Sequence, residues 1–283
     1  MKIGINTFIW TANFERPHLE LLPRIKAGGF DGVEVGVFNF ASFPAAELRR
    51  TAEENGLGVT MCTALTGKQS IGTEDNDVRN ASIAFLQQAI RAAAEAGVQI
   101  LAGPFCSAVG YLPGRRRTEE EWKRAIDAFQ TLGRTLDEYK MTLAVEPLNR
   151  FETFFLNTAD DAIRLNDEVN HPRIGVLFDT FHANIEEKDV PAAYRNLGRR
   201  LRHVHTCEND RGTPGSGHVN WPGVFAALRD IGYDDWLVIE SFGFAIKEIA
   251  AAACIWRDLA ATPEAIAFEG LKFLRQQALT AAA

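Results

Sequence analysis

TLAVEP (142–147), IGVLFDT (174–180), LRHVHT (201–206) and WLVIES (236–241) punctuate the second half of the chain. Each run is apolar and rich in strand-forming residues. Each also delivers one ionisable side chain at its C-terminal end: Glu146, Asp179, His205 and Glu240. Helix-length amphipathic stretches lie between them. Strand then helix, repeated, predicts a parallel sheet, because each helix returns the chain to the edge where the next strand begins.

The same alternation fills the first half. Strand candidates Ile3–Phe8, Gly32–Val37, Gly58–Ala64 and Ile100–Pro104 join Thr142–Pro147, Ile174–Asp179, Arg202–Thr206 and Trp236–Ser241. The intervening helices have legible ends. Leu19–Ala27 stops at Gly28-Gly29, Ala45–Asn55 at Gly56 and Asp77–Ala96 at Gly97, all C-terminal cap signals. Thr118 and Glu121 form a capping box, and Thr158 caps the helix after the fifth strand. Pro191 and Pro222 stand in first turns, where a missing amide is harmless. The last helix runs from Glu264 to Gln277.

Eight such units predict an α/β protein, a single (β/α)8 TIM barrel over residues 1–283. A doubly wound sheet would place a glycine-rich phosphate turn after its first strand, and Asn6-Thr7-Phe8-Ile9-Trp10 stands there instead. No linker, charge block or low-complexity segment divides the chain.

Composition excludes several function classes. Thirty Lys and Arg against 37 Asp and Glu leave a net charge of −7, which argues against a nucleic acid partner. The basic run Arg115-Arg116-Arg117 reads as a solvated loop. The four cysteines, Cys62, Cys106, Cys207 and Cys254, form no C-x-x-C pair, so neither a zinc knuckle nor a redox motif is expected. The start, MKIGINTFIW, lacks the long apolar region of a signal peptide, and no apolar run is long enough for a membrane span. A cytoplasmic protein is the expectation.

A barrel carries its chemistry at the C-terminal ends of its strands. Singly, a glutamate or histidine there is usually a cap or a satisfied core residue. Glu146, Asp179, His205 and Glu240 come as a set on consecutive strands. Three carboxylates converging on one mouth repel, and burying them unpaired costs several kcal/mol each. One divalent cation resolves both problems. Three oxygen donors and one imidazole suit Mn²⁺ or Mg²⁺, with Co²⁺ also accepted. Glu152, His182 and Arg211 follow Glu146, Asp179 and His205 by six, three and six residues, so each is expected on the loop after a ligand strand, where substrate-positioning groups belong. His203 shares a strand face with His205 and is expected beneath the metal. Glu34 could face the barrel interior.

EPLNRFET, DTFH, HTCENDR and VIESF resemble the ketose 3-epimerases, the D-tagatose and D-allulose (psicose) 3-epimerase group of xylose isomerase-like barrels. The resemblance spans the chain and is strongest over residues 142–242. It implies a Mn²⁺ or Co²⁺ site at Glu146, Asp179, His205 and Glu240. It also implies that Glu146 and Glu240 flank C3 of a ketose, one removing the proton to give a cis-enediolate and the other returning it. Glu152, His182 and Arg211 are then expected on the oxygens near C1 to C3. Inversion at carbon independently demands an acid/base group on each face.

Phe8, Trp10, Phe105 and Tyr111 are the candidates for the far end of the ketose. Expected substrates are free D-tagatose, D-allulose, D-fructose or L-ribulose, and the family implies a homodimer or homotetramer. Competing readings are a hydroxypyruvate isomerase-like or inosose dehydratase-like enzyme on the same metal barrel, a metal endonuclease, or a non-catalytic binding protein. The endonuclease would need more histidines and a basic face.

Overall fold

The computed structural model describes residues 1–280. Eight parallel strands close into a barrel in chain order: β1 Lys2–Asn6, β2 Gly32–Gly36, β3 Gly58–Cys62, β4 Ile100–Gly103, β5 Thr142–Val145, β6 Ile174–Asp179, β7 Leu201–His205 and β8 Trp236–Ile239. β1 pairs with β8 in register Lys2 to Trp236, which completes the closure. Around it run α1 Leu21–Ala27, α2 Ala45–Asn55, α3 Asn76–Glu95, α4 Glu119–Tyr139, α5 Ala159–Val169, α6 Thr180–Glu186, α7 Val190–Leu197, α8 Trp221–Asp230, α9 Lys247–Ala252 and α10 Pro263–Thr280.

Period-two alternation separates two apolar layers. Leu237 and Ile239 of β8 point outward into the main core beneath the helices, whereas Trp236 and Val238 pack with Ile100, Ala102, Ala144 and Leu177 in the lumen. Trp236 plugs the floor of the barrel. A Cβ at Gly32 would stand 2.4 Å from its indole and one at Gly58 2.5 Å from it, so both strands need glycine there.

The helix ends form as read from the sequence. Thr118 Oγ1 accepts from the Glu121 amide at 3.1 Å, and Glu121 Oε2 accepts from the Thr118 amide at 2.7 Å. Pro191 and Pro222 lie in the first turns of α7 and α8.

Three expectations change. The first strand stops at Asn6, whose side chain accepts from the Phe8 amide and starts a 3₁₀ turn over Thr7–Ile9. Asp179 ends β6 and also caps α6, accepting from the Phe181 amide at 2.8 Å; His182 therefore sits on a helix rather than a loop. The basic run is only partly solvated: Arg117 stacks over Trp122 at 4.5 Å and pairs with Asp161 at 2.6 Å. Among the described residues, no helix is long and apolar enough to cross a membrane.

Candidate active site

Asp179 and His205 are the last residues of β6 and β7, and Glu146 and Glu240 lie one residue beyond β5 and β8. The barrel thus raises all four to one height above its apolar lumen. One donor atom from each lies within 4.8 Å of the others, and all four residues are buried. His205 Nδ1 stands 3.1 Å from Glu240 Oε2 and 3.8 Å from Glu146 Oε1.

Beneath them lies Glu34 on β2, fully enclosed. Its Oε1 accepts from His205 Nε2 at 2.7 Å and from Asn6 Nδ2 at 2.9 Å. Its Oε2 accepts from His203 Nε2 at 2.7 Å and from Thr60 Oγ1 at 2.9 Å. Four donors satisfy one carboxylate. Burial opposes its charge, yet His205 and His203 hold Glu34 well below the usual carboxylate range. Because His205 gives Nε2–H to Glu34, its Nδ1 edge is the one turned toward Glu146 and Glu240.

The electrostatics at this level are unbalanced. Burial, reinforced by Glu240, pushes the Glu146 carboxyl well above its ordinary range. Burial likewise lifts Asp179 to about 6, against the pull of Arg211. Burial works against a charge on His205, but Glu240 and Glu34 outweigh it and hold its pKa well above the ordinary histidine value. Glu146 Oε1 and His205 Nδ1 are both buried without a hydrogen-bond partner. Orphaned donor atoms, each aimed at the same few ångströms, are the chemistry of a cation site. The residues fit a hard divalent ion.

Glu152, His182 and Arg211 converge on the same place. Arg211 Nη1 donates to Asp179 Oδ2 at 2.8 Å and to Glu240 Oε2 at 3.2 Å, and its Nη2 lies 2.9 Å from His182 Nε2. The guanidinium is sandwiched 4.0 Å from the Phe181 ring and 4.7 Å from Phe242. Burial and the nearby Arg211 push His182 well below the usual histidine value, so it is neutral. The Asn149 backbone N–H donates to His182 Nδ1 at 3.1 Å, and the Arg211 guanidinium faces Nε2, the nitrogen nearest Glu146 and Asp179. Asn149 Nδ2 also donates to Glu152 Oε1 at 2.8 Å. Asn149 was visible in EPLNRFET but unassigned, since an asparagine carries no titration signal to single it out.

Of the four aromatic candidates, Phe8 lines the pocket and the others do not. The Thr7–Ile9 turn points Phe8 inward and sends Trp10 outward, where its Nε1 donates to Glu264 at 3.1 Å. Phe105 is fully buried in the main core, and Tyr111 lies half-exposed on a neighbouring cleft, edge-on to Phe154. The apolar wall comes instead from Phe38, Phe242, Ile249 and Ala253 around Phe8. Phe242 follows Glu240 by two residues, a signal that placed it near the mouth without distinguishing wall from core.

Residues 22–277 match the family described as xylose isomerase-like TIM barrel. A probable ketose 3-epimerase from Synechocystis sp. is 41% identical, over 98% of this chain and 96% of the relative. An L-ribulose 3-epimerase from Mesorhizobium japonicum is 31% identical, over 96% of this chain and 93% of its own. The crystal structure of a D-psicose 3-epimerase in the presence of D-fructose superposes with a TM-score of 0.92 at 28% identity, covering 98% of this chain and 99% of that one.

Proposed function

We infer that this chain, which belongs to the ketose 3-epimerases of the xylose isomerase-like TIM barrel family, inverts C3 of a free ketose by removing and returning one proton. The observation that carries the reading is the placement of Glu146 and Glu240. They extend from β5 and β8, with β6 and β7 between them around the barrel, into one buried pocket. A sugar carbon between them meets a carboxylate on either side, as inversion requires.

Glu146, Asp179, His205 and Glu240 would hold one divalent ion, Mn²⁺ first, with Co²⁺ and Mg²⁺ as further candidates. When bound, such an ion supplies Lewis-acid stabilisation of the negative charge that builds on the substrate oxygens. Asp179 and His205 mainly hold the ion, whereas Glu146 and Glu240 also take and return the C3 proton. Arg211, by its charge, and His182, through the Nε2 edge of its ring, orient the oxygens near C1 to C3. Glu152, steadied by Asn149, accepts a hydrogen bond from a hydroxyl there. Phe8 and Phe242 exclude water from the reacting face. Substrates are D-tagatose, D-allulose, D-fructose or L-ribulose. Among the described residues, no unpaired basic side chain lines the pocket to bind a phosphate.

Incubation with Mn²⁺ and each of these ketoses in D₂O is expected to yield the C3 epimer with deuterium at C3. Glu240→Gln should lower kcat by about 10²–10⁴-fold. Loss of water from the sugar, or an aldose product, would instead assign the site to a related dehydratase or isomerase. No deuterium at C3 with any of them would refute the reading.

A further inference from the structure

The segment between β7 and α8 carries Arg211, whose backbone sits at φ +67, a region that side chains other than glycine rarely adopt. Something must hold it there. The segment is poor in apolar side chains, and Glu208, fully buried, lies within it.

Glu208 Oε1 accepts from the backbone amides of Asn209 at 3.1 Å and Val219 at 2.9 Å. Oε2 accepts from the Gly215 amide at 2.8 Å and from Trp221 Nε1 at 2.9 Å. One carboxylate thus ties the start, middle and end of the loop to the first residue of α8. The Arg211 amide donates to the Glu208 carbonyl at 3.0 Å, so Arg211 lies inside the clasp. The mouth of β8 holds the other side: Ser241 Oγ donates to the Gly212 carbonyl at 2.7 Å, and the Phe242 amide to the Arg211 carbonyl at 3.1 Å. A Cβ at Gly217 would stand 2.0 Å from Asn209 Oδ1 and 2.7 Å from Glu208 Cγ, so the loop packs against Glu208 with no room for a side chain there.

We propose that Glu208 is a positioning residue: its carboxylate folds the loop that sets the Arg211 guanidinium against Asp179, Glu240 and His182. The consequence for turnover rests on the reading of Arg211 as a substrate-binding group. The clasp itself does not.

Limited trypsinolysis separates the two, because Arg211–Gly212 is a tryptic bond that the fold shields. In Glu208→Gln the amide group faces two N–H donors, so those contacts are lost. Cleavage after Arg211 should then rise about tenfold or more, with cleavage at other sites near wild type. With a ketose that the wild type epimerises, kcat/KM should fall about tenfold. Should the glutamine variant fail to fold, Trp221→Phe removes a single donor and should raise the same cleavage a few-fold. Wild-type protection at Arg211, or uniform acceleration at every site, overturns the proposal. Absence of epimerisation by the wild type refutes the function and leaves the proteolysis result standing.

Discussion

Glu34 shows how one buried residue sets the chemistry of another. It lies below the site and accepts from His203, His205, Asn6 and Thr60 at once. A glutamine there keeps the volume but replaces one acceptor oxygen with a donor. At least one histidine N–H or the Thr60 hydroxyl then loses its partner, a loss of about 1–3 kcal/mol in a dry interior. With the amide nitrogen on its side, His205 also loses the bond that turns its Nδ1 edge toward Glu146 and Glu240. Glu34→Gln is therefore expected to stay folded and to bind Mn²⁺ about 10–100-fold more weakly. Calorimetric titration of the metal-free protein reads this directly, and wild-type affinity in the variant would remove Glu34 from the role.

At the scale of the element, the entry of α4 concentrates several effects on one turn. Glu121 closes the capping box, pairs with Arg115 at 2.8 Å and stands at the positive end of the helix. The Arg115 hydrogen bonds lower the Glu121 carboxyl below its ordinary range despite the opposing effect of burial. A group lowered on folding stabilises above its unfolded pKa and loses that contribution as pH falls through the folded value. Glu121→Gln keeps an acceptor for the box but removes the charge. It should destabilise the protein by about 0.5–1 kcal/mol at pH 7, with the gap to wild type closing below about pH 4. Thermal melts from pH 3 to pH 7 test this; a gap that stays constant over that range would falsify the charge account.

At the scale of the whole molecule, the barrel brings together groups that oppose one another. Three carboxylates and His205 are pressed into one buried space by strands whose outer faces are locked in the apolar core. Folding places Glu146 and Asp179 where burial and repulsion from Glu240 lift both carboxyls. A ligand bound only by the folded state stabilises it by mass action. Mn²⁺ at about 100 times its Kd should add about 2.7 kcal/mol to the metal-free protein, raising its Tm by roughly 5–10 °C. Asp179→Asn should abolish that rise. A metal-independent melting curve for the wild type would mean that the folded state binds no Mn²⁺.

The barrel class was legible because alternation of short apolar runs with capped amphipathic segments is a local pattern. Thr118, Glu121, Pro191 and Pro222 act within their own turns, where sequence distance and spatial distance agree. The proximity of Glu146, Asp179, His205 and Glu240 followed too, since equivalent positions on neighbouring parallel strands arrive at the same height. What no local pattern contains is the direction of a side chain beyond its strand. A 3₁₀ turn decided that Phe8 enters the pocket and Trp10 leaves it, and Phe105 and Tyr111 went to the core and to another cleft. Glu34 lies 171 positions from His205 in sequence yet 2.7 Å from it in space. Glu208 binds a loop in which its partners are backbone amides that look alike in any sequence. Sequence alone determined the order of the strands and the ionisable groups they carry; closure of the barrel decided which atoms of those groups face one another.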